Sequence, residues 1–564
     1  MLINGFLGNV GNGSIDARIT VGPTGMVMIG SEAYDATRKL HLHGGDNATR
    51  PNRMAGGVIG SYIFPFGRGI LAADDNRALI GFGTINTDVD FDEASDLLAD
   101  DGTLTISGAI LDARNVGTAD ADGVFAVADA WNTSAVSNVL LQGGEVTGGE
   151  MTIGNPNGVS GYGLLSAPVS VDTRIRATEA GRTLVVESPA NTNDWDGAAN
   201  TGVLAAVAGT LELRGNIPFF FQGTVDVRQA GTVFANGFEL KYMSDSTLSL
   251  HGGTYRSTNP TGFHGSMIVA DGSSRLEIDG TATMYAGSSS AITGTLQLDN
   301  ALTQIDVGAA FSGGGTVLNL PASTLQLQDG ADVDVLVQNQ GSLELGASSA
   351  ISQASVLDYQ QDSSGVFHVD LAGRSLSQFD RLSLSGAAQV AGGLDIDLVD
   401  GFIPSLGDAF TILSAPGGVA GSFTSVVQPV ERPVGTLFDV VYQPTLLQLV
   451  LVNGPIYSAD FDGDGEVTAA DIGVWKDSFG IDDGGDADHD GDTDGDDFLI
   501  WQRQLGSVPG LPVINGVPEP QSAALMALTA IIAMAAKRRL GHAARGRVSY
   551  AATPARDRSQ GVTL

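Results

Sequence analysis

The sequence predicts a mainly β protein whose body is a β-solenoid, in which short strands are wound into successive turns. Glycine accounts for 77 of the 564 residues, roughly twice its usual share. Charged residues make up 16%, well below the roughly 25% of an average globular protein. This composition favours short strands joined by turns. The length is too great for one compact core, so we expect two or more folding units.

A recurring strand phrase carries the fold prediction. A turn residue is followed by Thr or Ser (Arg275 in one copy) and then by apolar residues that alternate with polar ones, at 209–213, 223–227, 246–250, 274–278, 294–298, 323–327 and 341–345. Alternation at period two gives one buried and one exposed face. The copies are spaced irregularly, which a propeller would not allow but a solenoid tolerates. A β-sandwich is the alternative. The threonines are expected to be scattered, which argues against an ice- or mineral-binding face.

Residues 366–455 differ from the solenoid region, which we place at 1–365. Their strands have longer apolar runs, at 366–371, 394–398, 409–413, 437–441 and 446–451. A solenoid end must be closed to prevent edge pairing, so this segment is predicted to be a β cap or a sandwich-like closing segment.

Net charge limits the possible partners. The formal net charge is −36, which argues against nucleic acid because phosphate binding requires a basic surface. Acidic residues concentrate between Asp460 and Gly506, with 15 Asp and Glu against Lys476 and Arg503, a net charge of −13. The chain has no cysteine, which excludes disulfides and cysteine-ligated metals.

A twelve-residue acidic loop begins at Asp460. Oxygen-bearing residues occupy loop positions 1, 3, 5, 7, 9 and 12, and Gly465 stands at position 6, where a calcium loop turns sharply. Calcium prefers six to eight oxygen ligands, so the spacing predicts a calcium site. The predicted ligands are Asp460, Asp462, Asp464, Glu466, Thr468 and Asp471, with Glu466 at the position that ligates through its backbone oxygen.

A second loop repeats the pattern 26 residues later, with Gly491 at position 6. Its predicted ligands are Asp486, Asp488, Asp490, Asp492, Asp494 and Asp497. After each loop, apolar residues recur at helical spacing, and a glycine stands where each helix would end. The two apolar sets are Ile472, Trp475 and Phe479, then Phe498, Trp501 and Leu505, with Gly480 and Gly506 as the terminal glycines. We therefore predict two calcium ions.

This duplicated module, residues 458–507, resembles type I dockerins, which carry Asp at position 12. The resemblance implies a cohesin-like partner. In cellulosomal dockerins small hydroxyl residues at loop positions 10 and 11 select that partner, whereas here the pairs are Ala469-Ala470 and Gly495-Asp496. An extracellular polysaccharide is the alternative partner. Thr493 replaces the apolar Val467 of the first loop, so the second loop is expected to pack less well.

The C-terminal region has three parts in order: Pro518-Glu519-Pro520, an apolar run at 523–536, and Lys537-Arg538-Arg539. This order resembles a PEP-CTERM sorting signal. The resemblance implies an exosortase-type membrane protease as partner and an exported protein, held transiently in the inner membrane. The apolar run is shorter than the roughly 20 residues that span a bilayer, and the basic residues would stay on the cytoplasmic side. A linker at 508–516 precedes the signal (517–540), and a basic tail (541–564) follows it.

The strand repeats resemble the passenger regions of autotransporter-like surface proteins. No secretory signal is visible after Met1, so we expect the true N-terminus to be missing. Two functions remain open. The favoured one is a non-catalytic structural or adhesive protein of the cell surface or extracellular matrix. The alternative is a polysaccharide-acting β-helix enzyme, a glycoside hydrolase or lyase tethered by its module, whose carboxylates would come from different coils.

Searches for catalytic motifs yield no assigned catalytic residue. Gly-x-Ser-x-Gly, Walker and His-Glu-x-x-His patterns are all absent from the sequence. His41 and His43, with Asp46 nearby, could bind zinc but are more simply surface residues. Asp194 and Asp196 flank a tryptophan and could contact a sugar, although a loop is the simpler interpretation.

Overall fold

The structure is a computed structural model. It describes residues 1–507 except 11–12, 30–38, 45–49, 62–68, 74–75, 188–201, 216–218, 238–239, 243, 434, 454–456 and 489–490. The described chain is mainly β and forms a β-solenoid of about 14 turns, which confirms the predicted β-solenoid body. Neighbouring strands pair in parallel from coil to coil, as solenoid winding requires and a sandwich of hairpins would not.

The first twenty strands of the solenoid range in length from two to 13 residues. They are β1 Leu2–Ile3, β2 Phe6–Val10, β3 Gly13–Ile15, β4 Thr20–Val21, β5 Met26–Ile29, β6 Lys39–Leu42, β7 Asn52–Ser61, β8 Ile70–Ala73, β9 Ala78–Asn86, β10 Asp88–Phe91, β11 Asp96–Ile106, β12 Ile110–Thr118, β13 Val124–Val127, β14 Trp131–Asn132, β15 Val136–Gly148, β16 Met151–Ile153, β17 Val159–Leu165, β18 Val169–Val171, β19 Arg174–Ala177 and β20 Thr183–Glu187. A 3-10 turn, Thr133–Ala135, lies between β14 and β15.

The middle of the solenoid contains all the copies of the recurring phrase. Its strands are β21 Val203–Ala206, β22 Thr210–Arg214, β23 Phe219–Phe221, β24 Thr224–Arg228, β25 Thr232–Asn236, β26 Leu240–Tyr242, β27 Thr247–His251, β28 Thr254–Ser257, β29 Thr261–Phe263, β30 Ser266–Val269, β31 Ser273–Met284, β32 Ser289–Ile292, β33 Thr295–Ile305, β34 Ala310–Ser312, β35 Thr316–Asn319, β36 Thr324–Leu327, β37 Asp332–Asn339, β38 Ser342–Leu345 and β39 Gln353–Gln361. The seven phrases fall in β22, β24, β27, β31, β33, β36 and β38, so each predicted strand is confirmed.

The last strands are β40 Val366–Leu371, β41 Arg381–Leu384, β42 Ala388–Val390, β43 Gly393–Leu398, β44 Ala409–Ser414, β45 Val419–Gly421, β46 Ser425–Val427, β47 Thr436–Gln443 and β48 Leu446–Asn453. Parallel pairing continues as far as β46, which pairs with β43. The pattern then changes, because β48 pairs antiparallel with both β44 and β47. The five strands predicted between 366 and 451 are all present.

The core is built from stacked inward columns. Leu211 pairs in register with Val233, Val233 with Tyr255, and Tyr255 with Leu276, and all four side chains are fully buried. The columns also include polar side chains. Asn319 and Asn339 are both buried, and the Asn319 Nδ2 donates to Asn339 Oδ1 at 2.8 Å. Such a buried amide contact favours one register between the coils, although Asn319 Oδ1 has no hydrogen-bond partner among the described residues.

The outward threonines are not scattered, so that expectation is wrong. Thr183, Thr210, Thr232 and Thr254 occupy the same register position on four successive coils. The alignment could not be predicted from the sequence spacing, because loops of different length separate strands that lie directly above one another on successive coils.

Two helices follow the solenoid, α1 Asp471–Ser478 and α2 Gly495–Gln504. Both predicted helices are present. α1 begins at position 12 of the first acidic loop and α2 at position 10 of the second. Gly480 and Gly506 adopt φ values of +68° and +85°, the left-handed conformation that ends a helix at glycine. In the portion of the chain that the structure describes, no helix is both long enough and apolar enough to cross a membrane.

Candidate metal centre

The first acidic loop brings three carboxylates together. Oxygen atoms of Asp460, Asp462 and Asp464 lie within 4.8 Å of one another. Gly465 takes φ = +90°, and its N–H donates to Asp460 Oδ2 at 2.8 Å, which folds the loop back over its first residue. The other oxygen, Asp460 Oδ1, is buried and has no hydrogen-bond partner among the described residues. A buried carboxylate oxygen without a partner is costly, and a cation would satisfy it.

Asp471, at loop position 12, closes the loop. Its side chain is fully buried. Oδ1 accepts the N–H groups of Phe461 and Asp462 at 2.8 and 3.3 Å, and Oδ2 accepts the N–H of Thr468 at 2.7 Å. One carboxylate therefore holds both ends of the loop in place while leaving lone pairs that can face a cation.

The second loop repeats these contacts at equivalent positions. Asp497 is 1% exposed and accepts the N–H groups of Ala487, Asp488 and Asp494 at 2.7, 3.2 and 2.7 Å. Gly491 takes φ = +98° and donates to Asp486 Oδ2 at 2.9 Å. Oxygen atoms of Asp486, Asp488 and Asp497 come within 4.8 Å of one another, as do those of Asp492, Asp494 and Asp497. The predicted ligand Asp490 lies outside the described residues.

The two halves are joined by reciprocal hydrogen bonds. Trp475 on α1 donates its indole N–H to the Asp494 carbonyl of the second loop at 2.9 Å. Trp501 on α2 donates to the Thr468 carbonyl of the first loop, also at 2.9 Å. Both carbonyls stand at loop position 9. Each loop is therefore held by the helix of the other half, and the pair has an internal two-fold character.

The module has its own small core, separate from that of the solenoid. Ala459, Val467 and Ala487 are buried in it. The predicted apolar helix faces meet through their rings, with Trp475 5.1 Å from Phe498 between centroids. Phe479 and Leu505, at the far ends of the two faces, are about half exposed.

Thr493 packs better than its polarity suggested. It is 1% exposed, its hydroxyl donates to the Asp482 carbonyl at 2.7 Å, and it accepts the Gly485 N–H at 3.0 Å. The hydroxyl is therefore satisfied in both roles, and the expectation of poorer packing at this position is wrong.

The loop carboxylates are electrostatically unfavourable as they stand. Burial, and then the neighbouring Asp464 and Asp471 carboxylates, raise the pKa of Asp460. Burial and the same two neighbours also raise the pKa of Asp462. A bound cation would offset both the cost of burying these carboxylates and the repulsion between them. It would attract the charged oxygens and supply a partner for those that are shielded from water. These acidic clusters could bind a metal ion.

Arg432, which no sequence motif singles out, lies within reach of the charges of the first loop. It is 6% exposed, and its guanidinium donates to the carbonyls of Thr436 and Pro429 at 2.7 and 2.9 Å. Burial lowers its pKa, whereas the charges of Asp464 and Asp460 act to raise it. Arg432 lies in the segment between β46 and β47, and its positive charge therefore interacts with the negative charges of the first loop.

The structure adds no support for a zinc site at the two histidines, His41 and His43. The rings of His41 and His43 are 5.7 Å apart, and His43 Nδ1 lies 3.5 Å from Asp16 Oδ1, but these residues form no three-ligand group among the parts of the chain described. Asp46, Asp194 and Asp196 lie outside the described residues. The sorting motif at 518–520, the apolar run and the basic residues 537–539 also lie outside them.

Comparison with known proteins assigns no identity. No family model matches the chain, and no curated protein matches it. The functional argument therefore rests on the solenoid and on the duplicated acidic loops.

Proposed function

We propose that this chain is a non-catalytic structural or adhesive protein of the cell surface or extracellular matrix. Its solenoid would present a dockerin-like module that two calcium ions stabilise. The supporting observation is the pair of acidic loops with matching hydrogen bonds and reciprocal tryptophan contacts. Two such loops have no evident purpose without cations, because they crowd carboxylates at a cost in free energy.

Calcium is the ion that best fits these donors. All side-chain donors are oxygens, which suits a hard cation and disfavours zinc or copper. Magnesium demands a smaller octahedral shell and releases its waters reluctantly, so a flexible loop rich in carboxylates favours calcium. In this proposal Asp460, Asp462, Asp464, Thr468 and Asp471 supply side-chain oxygens, and Glu466 supplies its carbonyl. The second loop uses the residues 26 positions later.

Export and sorting complete the proposal. The tail would be recognised by an exosortase-type membrane protease, and the module would contact a cohesin-like domain or an extracellular polysaccharide. The segment that ends in the antiparallel pair β47 and β48 would serve as the solenoid cap, since it replaces parallel stacking with a hairpin.

Isothermal titration of calcium into chelator-treated full chain tests the metal assignment. We expect two ions per chain and much weaker binding of magnesium under the same conditions. Binding of fewer than two calcium ions, or equal affinity for magnesium, would contradict the assignment. The non-catalytic assignment is tested separately, by incubating the protein with acidic and neutral polysaccharides, with and without calcium. Release of soluble sugar in the calcium-loaded sample would favour the enzyme instead.

A further inference from the structure

A cavity of about 310 Å³ opens on the outer face of the last solenoid coils. It is bounded by the end of β38, residues 346–349, the outward positions of β40 and β43, and a residue of the segment between β46 and β47. Its ionisable lining residues are Glu344, His368, Asp370, Asp380, Asp397 and Glu431. The volume is at the lower end of the roughly 300–1,000 Å³ range of small-molecule sites.

Two of these carboxylates face each other across adjacent coils. Asp370 on β40 pairs in register with Asp397 on β43, which places like charges on strands about 4.8 Å apart. Burial and the Asp397 charge raise the pKa of Asp370 to about 6, and burial and the Asp395 charge raise that of Asp397. The pair therefore weakens the solenoid at neutral pH unless a donor or cation occupies the cavity.

The remaining groups offset the repulsion of this pair only in part. A backbone hydrogen bond from Ser349 lowers the pKa of Asp370, and His368 acts to lower the pKa of both carboxylates. His368 Nδ1 lies 3.2 Å from Asp395 Oδ2, so the histidine is directed to a carboxylate beside the cavity. The Asp380 oxygens accept the N–H groups of Ser352 and Asp370 at 2.7 and 2.9 Å, so this side chain forms the floor of the cavity. The described residues that line the cavity include no arginine and no lysine.

Several outward carboxylates elsewhere on the solenoid form ion pairs with arginine side chains. Asp96 pairs with Arg114 at 2.6 Å and Asp100 with Arg53 at 2.9 Å, in each case from another coil. Asp299 pairs in the same way with Arg275. This chain therefore supplies guanidinium partners for several outward carboxylates. Asp90 and Asp112 also face each other in register, but Asp90 pairs with Lys39, whereas no described lysine or arginine lines the cavity of Asp370 and Asp397.

The dimensions favour an organic cation over a metal ion. The cavity carboxylates do not appear among the sets of three ligand oxygens that come within 4.8 Å of one another in the described chain. The opening is also much larger than a single ion requires. A protonated amine carries three N–H donors and can bridge two facing carboxylates.

We propose that this cavity binds a protonated primary amine on a hydroxyl-bearing ligand, of which a de-acetylated amino-sugar unit is the type to test. Asp370 and Asp397 would hold the ammonium group, and Glu344 and the backbone of residues 346–349 would accept hydrogen bonds from hydroxyls. This site is separate from the acidic loops and requires neither calcium nor bond cleavage, so it goes beyond the function proposed above.

Calorimetric titration of the full chain with a glucosamine trisaccharide tests the proposal, and the N-acetylated trisaccharide is the neutral control. Saturating calcium should be present throughout, so that the acidic loops are filled. We expect binding of the amine form only, weakened at least tenfold by Asp370→Asn and by Asp397→Asn. Asp245→Asn changes the net charge equally at an exposed position and should bind like wild type.

The folding of the variants can be checked independently. Replacing either carboxylate removes a like-charge contact, so both variants should melt at or above the wild-type temperature. Equal binding of the acetylated trisaccharide, unchanged affinity in both variants, or no amine binding in saturating calcium would each overturn the proposal.

Discussion

The position-12 aspartates illustrate how one side chain can serve both a fold and a site. Asp471 and Asp497 each accept three backbone N–H groups from their own loop. They are also placed to complete a coordination shell. The loop spacing predicts that both are ligands, which stays a prediction. It does not predict the three hydrogen bonds, because backbone donors cannot be located before the loop conformation is known.

Asp471→Ala and Asp497→Ala should each abolish one of two calcium sites. Each substitution removes a ligand and leaves three buried or partly buried N–H groups without acceptors, at a cost of roughly 1–3 kcal/mol for each unsatisfied group. Calcium titration of each variant should show one ion bound instead of two. Asp245→Ala, at an exposed position on the solenoid, is the control. Two ions in both position-12 variants would show that the loop register is wrong.

Asp380 predicts how the stability of the solenoid changes with pH. Burial raises the pKa of Asp380 to about 8, whereas the pKa of an aspartate in an unfolded chain is about 3.9. Between these values the folded chain holds a proton that the unfolded chain has lost, so stability falls as pH rises from about 4 to about 8. Thermal melting of the solenoid across that range should show a smaller decline in Asp380→Asn than in wild type. Parallel curves would mean that Asp380 is ionised in the fold.

At the scale of elements, the strands and helices could be predicted because each has a local periodicity in the sequence. Period-two alternation located strands such as β22 and β38, and helical spacing after each loop located α1 and α2. Contacts between distant segments could not be predicted in this way. The threonine column on β20, β22, β25 and β28 depends on loop lengths, and the position of Arg432 near the first loop depends on how the last strands turn. The paired Asp370 and Asp397 were missed for the same reason, since only the coil register brings them together.

The reciprocal tryptophan contacts predict coupling between the two acidic loops. Trp501→Phe keeps an aromatic ring but removes the N–H that holds the Thr468 carbonyl of the first loop. The free energy of unfolding of the module should fall by about 1 kcal/mol. Calcium affinity should fall more at the first loop, although Trp501 follows the second. The measurement is calcium titration of Trp501→Phe in the Asp497→Ala background, where only the first site remains. Unchanged affinity there would argue against coupling.

Chelation of calcium should unfold the module but leave the solenoid intact. The module has only a small core around Ala459, Val467 and Ala487, whereas the solenoid core runs continuously from coil to coil. Without cations, the crowded carboxylates should outweigh that small core. Hydrogen exchange read by mass spectrometry should show loss of protection at 458–507 and unchanged protection at 204–345. Unchanged protection in both regions would mean that the module folds without metal.

At the scale of the whole molecule, the solenoid and the module have different sources of stability. The solenoid relies on stacked apolar columns and buried amides, which do not depend on ions. The module would depend on calcium at a concentration typical of extracellular fluid, where weak sites are still filled. An exported protein can use this arrangement, because the solenoid would fold before the module meets its ions. The proposed destination and the proposed metal therefore support each other.

The destination can be tested on the native protein. If an exosortase-type protease reads Pro518-Glu519-Pro520, the apolar run and Lys537-Arg538-Arg539 should remain with the inner membrane after cleavage. Mass spectrometry of the surface or matrix fraction should then recover peptides from the solenoid and from 458–507, but none beyond the motif. Replacing the three basic residues by glutamine should reduce surface delivery, because they hold the end of the segment on the cytoplasmic side. Peptides that reach Leu564 in the surface fraction would contradict processing. Recovery from the cytoplasm alone would contradict export, whereas the calcium assignment would stand, since it depends only on the loops.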